Sequence, residues 1–205
     1  MKMWITCSLC ALTMTLTAAQ AADVPTAKKA LELANAKFQS GSQNQVIRME
    51  GAETDSDLRP RQWDVTFYDS NRANNGTVIR VKDGVVISIG GAMRIVDDAR
   101  WSRFFRNFSG YDAAEVFNLA RWKLDSTDAL AKVAALPGMN NVQITDAKMV
   151  LKKLSDGDVP PIWQVRVKAR SRSKPSLEAW VGGAELSAET GEILKNEIHL
   201  ARLTK

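Results

Sequence analysis

Over residues 28–38 the apolar positions Ala30, Leu33 and Ala34, with Lys37, recur at helical spacing, which predicts an amphipathic helix. Thr26 stands where an N-cap belongs, and Gly41-Ser42 mark the stop. The period then changes to two. Residues 62–68 place Trp63, Val65 and Phe67 on one side and Gln62, Asp64, Thr66 and Tyr68 on the other, the alternation of a half-buried strand. A short strand at 46–49 and a polar loop at 53–60 precede it. Asn74-Asn75-Gly76 turns the chain into a strand at 78–82, and Asp83-Gly84, a two-residue hairpin signal, leads to another at 85–89.

The same order of elements returns in the second half. Pro60 and Trp63 recur as Pro160 and Trp163, one hundred residues on, and Ala30, Leu33 and Ala34 fall over Leu130, Val133 and Ala134. A helix is expected from Ser126 or Thr127 to the stop at Pro137-Gly138, then one or two strands within 142–153 and a loop at 155–161. Trp163, Val165, Val167 and Ala169 alternate with Gln164, Arg166, Lys168 and Arg170. A strand at 177–181 follows, and Glu189-Thr190-Gly191 forms the last turn before 192–199. Between the halves, Trp101, Phe104, Phe105 and Phe108 fall along one side and Arg100, Arg103 and Arg106 along another. A further helical stretch is expected from Asp112, with Val116, Leu119 and Ala120 at core spacing. The expected fold class is α+β: two tandem modules, each a helix packed on a mostly antiparallel sheet of about four strands, joined by a helical segment. Their bounds are 22–96 and 125–205, with the connector at 97–124.

The stretch Trp163-Gln164-Val165-Arg166-Val167, then Leu177-Glu178-Ala179-Trp180-Val181, then Ser187-Ala188-Glu189-Thr190-Gly191-Glu192-Ile193-Leu194 resembles the PepSY family of small modules in exported bacterial proteins and propeptides. The likeness runs from about residue 125 to 197 and is weaker over 26–89, where Lys82-Asp83-Gly84 replaces the Thr-Gly-Glu turn. Gly182-Gly183-Ala184 departs from the pattern before the last hairpin. The tandem arrangement also looks like that of secreted β-lactamase-inhibitor proteins, which present a concave surface built from two helix-and-sheet repeats. That likeness is one of fold and transfers no residues. What the resemblance implies is binding or inhibition of another protein, since the family motif is structural rather than catalytic.

Residues 1–21 read as a signal peptide: Lys2, an apolar run over 3–17, then the small-x-small sequence Ala19-Gln20-Ala21. The run is shorter than the ~20 residues of a spanning helix, so no stable membrane insertion is expected after cleavage. Export to the periplasm or the exterior is the expectation. Both cysteines, Cys7 and Cys10, fall inside this segment, so cleavage after Ala21 leaves no disulfide. The formal charge of +5 favours acidic partners but is too small to indicate nucleic acid.

Little chemistry is assembled. His199 is the single histidine, so Ser-His, Cys-His and zinc sites lack their parts. Glu53, Asp55 and Asp57 alternate like the start of a calcium loop, but Leu58 occupies the position where that loop requires glycine. Asp156-Gly157-Asp158 reads as a turn. Gly90-Gly91 and Gly182-Gly183 lack the helix and lysine of a phosphate loop. No catalytic residue, metal or cofactor is expected. The remaining feature is the polar face of the second half, where Arg166, Lys168 and Arg170 alternate and Trp180 shares the side of Glu178. Cations beside a large aromatic suit a protein partner. Arg166, Lys168 and Trp180 are therefore the candidate binding residues of a non-catalytic protein-binding chain, an inhibitor or folding aid. The alternatives are an enzyme working through carboxylates and a binder of anionic envelope polymer or membrane.

Overall fold

The computed structural model describes residues 24–38, 43–92, 94–95, 108–154 and 157–203. Residues 1–21 with Cys7 and Cys10, residues 97–107 with their arginines and Trp101, Phe104 and Phe105, and Asp156 lie outside the described residues, as does the side chain of Phe108. Helix α1 (Ala27–Lys37) begins at Thr26, whose hydroxyl accepts from Lys29 N–H. It is followed by β1 (Val46–Thr54), β2 (Pro60–Tyr68), β3 (Gly76–Lys82) and β4 (Val85–Gly91). A two-residue pair, β5 (Arg94–Ile95) and β6 (Phe108–Ser109), stands apart. Helix α2 (Ser126–Ala134), capped by Asp125, precedes β7 (Val142–Lys152), β8 (Ile162–Ser171), β9 (Glu178–Ser187) and β10 (Ile193–Asn196).

The strands form one antiparallel eight-stranded sheet in the order β10-β9-β8-β7-β1-β2-β3-β4, rather than the two sheets of about four strands expected. The reason is that β1 and β7 would each be a long edge with unpaired backbone groups, and pairing them removes both edges at once. The pairing is ordered. Met49 and Gly51 lie opposite Val65 and Trp63, and Met149 and Leu151 lie opposite Val165 and Trp163, the same register one hundred residues on. At the seam Glu50 faces Val150, the position one hundred residues away.

Directly paired residues share a face, so the register sorts the whole sheet. Met49, Trp63, Val65, Phe67, Ile79, Val81, Met149, Leu151, Trp163, Val165, Val167, Ala184 and Leu186 are buried on one side, under the helices. Helix α1 packs on β2, β3 and β4, and α2 on β8 and β9. Trp63 and Trp163 are fully buried, with rings edge-on at 6.2 Å. Each indole N–H is used in the same way: Trp63 donates to Pro25 O and Trp163 to Leu124 O, the carbonyls just ahead of the two helices. The helices meet where Ala27 N–H donates to Ser126 Oγ. Their buried faces, Ala27, Ala30, Leu31 and Ala34 against Ser126, Ala129, Leu130 and Val133, correspond at ninety-nine residues, one fewer than the strands. Ala134, set over Ala34 by the spacing, is exposed as a result.

The stretch from Asp112 is not the helix expected. It makes two single 3-10 turns, Ala113–Glu115 and Leu119–Arg121, capped by Asp112 and Asn118. Extended backbone at Val116 separates them, and Phe117 N–H donates to Val46 O while its ring enters the core against Trp122. Tyr111 and Val116 meanwhile pack with Ile47, Tyr68, Val78 and Ala92, covering one corner of the opposite sheet face in the first half.

Beyond the expected strand at 177–181, β9 runs on through Gly182-Gly183. Gly182 has φ +113°, and a Cβ there would sit 2.0 Å from Glu197 O. The absence of side chains lets Glu197 N–H reach Gly183 O and His199 N–H reach Val181 O. The register shifts by one residue at this point: Val167 faces Gly182, but Lys168 faces Trp180. Val181, the extra residue, is buried. Without this bulge, Trp180 would oppose Ala169 and point into the core.

Candidate binding face

On β7, β8 and β9 the side of the sheet away from the helices carries the candidate residues. Lys148 and Arg166 face each other across β7 and β8, Lys168 faces Trp180, and Arg170 faces Glu178. The structure brings Arg166 and Trp180 together: the guanidinium carbon lies 5.8 Å from the centroid of the ring. Lys148 Nζ stands 5.4 Å from the same centroid. Both are within range of cation–π attraction, and their stems leave the indole partly covered rather than bare.

Lys168 is engaged differently. Its ammonium lies 2.7 Å from Glu178 Oε1, while Arg170 Nε donates to Glu178 Oε2 at 3.0 Å and the Thr145 hydroxyl donates to Oε1. The hydrogen bonds from Lys168 and then Arg170 outweigh partial desolvation and draw the Glu178 carboxyl down to about 2. Lys168 is thus an anchored part of the sheet surface, and the exposed cations beside the ring are Arg166 and Lys148. Lys148 escaped the sequence reading. Its alternation with Ala147 and Met149 marks it as outward-facing, yet nothing local places it beside a tryptophan two strands away.

The neighbouring acids are held in place. Asp146 accepts from the Thr54 hydroxyl at 2.6 Å, Glu185 from the Gln164 amide at 2.8 Å, and Glu50 pairs with Arg48. Asp64 and Arg80 make a two-pronged pair at 2.7 Å in the first half. Each of these carboxylates thus already has a hydrogen-bond or ion-pair partner within the sheet. Among the described residues no three of His, Cys, Asp and Glu are placed to hold a metal ion.

The other sequence candidates have local duties. Asp55 accepts from Asp57 N–H and Arg59 N–H and pairs with the Arg59 guanidinium, so its carboxylate closes a turn in which Leu58 has φ +61°. His199 is exposed, and its backbone N–H secures the end of the chain to β9. In the Thr-Gly-Glu turn, Glu189 pairs with Arg121 at 2.9 Å, which lowers the carboxyl and raises the guanidinium. Among the described residues no helix is long and apolar enough to cross a membrane. Comparison with protein-family models, with curated proteins and with solved structures found no match.

Proposed function

We propose that the chain is an exported, non-catalytic protein built by duplication of one PepSY-like module, and that it binds another protein on the open face of its second half. Support for duplication comes from the common register of β1–β2 and β7–β8, and from the two indole N–H groups that tether the two helix starts in the same way. The observation that carries the binding reading is the exposed Arg166 on the Trp180 ring, in the half of the sheet whose polar face the described residues leave open. A tryptophan turned away from the core by a bulge stands among cations there, and Trp and Arg, with Tyr, are the residues enriched at the energetic centre of protein interfaces. Lys168 contributes by holding Glu178 and so keeping that carboxylate away from the arriving partner.

The test is capture of the partner from cell-envelope extract with the chain lacking residues 1–21, followed by titration of the isolated pair with Trp180→Ala and Arg166→Ala. An anchor loses about 2 kcal/mol or more of affinity while its thermal midpoint stays put. Unchanged affinity in both variants places the interface elsewhere. Release of a product from the partner, or turnover by the chain alone, replaces the binding reading with the enzymatic one.

A further inference from the structure

Lys148 and Arg166 occupy directly opposite positions on β7 and β8, and both are exposed. Like charges at such positions repel and weaken a sheet. Other cations of this face are neutralised: Lys168 and Arg170 share Glu178, Arg48 meets Glu50, and Arg80 meets Asp64. Lys148 and Arg166 have no carboxylate at ion-pair distance among the described residues. Their partner is the Trp180 ring, whose quadrupole attracts both cations but removes neither charge. The nearby acids are committed, Asp146 to Thr54, Glu185 to Gln164 and Glu178 to Thr145 and its two cations. Gly183, opposite Arg166 on β9, adds no side chain to the strip beside the pair.

We infer that this cation pair is a carboxylate-binding site, and that the partner presents an acidic segment to it. An Asp or Glu side chain takes the Arg166 fork and the Lys148 ammonium, while an apolar neighbour in the same segment lies against Trp180. The inference rests on the docking face proposed above and adds the chemistry of what docks there. Spaced carboxylates fit better than a polyanion. A nucleic acid or anionic polymer carries charge at every step, and steps on either side of the pair would meet Asp146, Glu178 and Glu185.

The full chain is titrated with blocked hexapeptides of alternating Glu and Leu, with the same peptide carrying Gln for Glu, with oligothymidylate, and with phosphatidylglycerol–phosphatidylcholine vesicles. The readout is the Trp180 indole N–H resonance, assigned by its loss in Trp180→Phe. The Glu peptide shifts it saturably and the Gln peptide does not. Lys148→Gln weakens the Glu peptide about tenfold, as expected for one charge-assisted contact, and leaves the thermal midpoint unchanged or higher because a like-charge pair has been relieved. Equal responses to the Glu and Gln peptides, or tighter binding of oligothymidylate or vesicles, overturn the inference. So does a lower midpoint in Lys148→Gln, which makes the pair part of the fold. Against the captured partner, a loss confined to Trp180→Ala removes the acidic segment but leaves the docking face. No effect of either variant removes both.

Discussion

Gly182→Ala tests the bulge that turns Trp180 outward. Two costs can be read from the backbone. At φ +113° an alanine is held in a region that L side chains rarely adopt, at about 1–3 kcal/mol. Its Cβ would also lie 2.0 Å from Glu197 O and 3.0 Å from Glu197 C, and since these atoms belong to main chain, no rotamer change relieves the contact. The end of the chain must move off β9, losing the Glu197 N–H to Gly183 O and His199 N–H to Val181 O hydrogen bonds, each worth about 1 kcal/mol net. The expected loss is roughly 3–5 kcal/mol, a large share of the ~5–15 kcal/mol that holds an ordinary domain. Urea unfolding followed by circular dichroism and tryptophan fluorescence measures it. Gly90→Ala and Gly91→Ala on β4 are the controls, since nothing lies within 4 Å of a Cβ added at either; these should stay within about 1 kcal/mol of the parent. A Gly182→Ala variant as stable as the controls would refute the reasoning, because the close approach of residues 197–199 would then be dispensable.

The two buried tryptophans and Glu178 give further measurable outcomes. Trp63→Ala and Trp163→Ala should each lose about 3–5 kcal/mol, and the two Phe variants less, about 1–3 kcal/mol, for the missing indole donor; chemical denaturation that shows one site tolerant and the other not would break their equivalence. Glu178, whose carboxyl is drawn to about 2 from an ordinary 4.5, adds stability that is complete above pH 4.5 and disappears as pH falls through 2. Glu178→Gln should therefore melt below the parent at neutral pH, with the gap closing between pH 4.5 and 2; a gap independent of pH contradicts the ion-pair account.

The strands bearing Trp63 and Trp163 were legible because alternation reports directly which side of a strand is buried, and Thr26 and the Ala30, Ala34 spacing did the same for α1. The recurrence of Pro and Trp one hundred residues apart likewise announced the common register of the two halves. Alternation describes a residue's own element, however, and is silent about which element comes alongside. The union of β1 with β7 into one sheet is a choice between distant backbone groups that no local period records. So is the single-residue slip by which the helices correspond at ninety-nine residues. Residues 112–124 have helical spacing, yet Phe117 gains more from the core and from Val46 O than a helix there would offer. The candidate face divides the same way. Arg166, Lys168 and Trp180 could be named from their alternation, but their roles could not. Glu178 ties Lys168 down, Lys148 arrives from a neighbouring strand, and the bulge at Gly182 decides the face on which Trp180 stands. Each of these depends on hydrogen-bond register between strands. A chain encodes that register only through the fold as a whole, because a one-residue slip leaves every local pattern intact and exchanges the two faces.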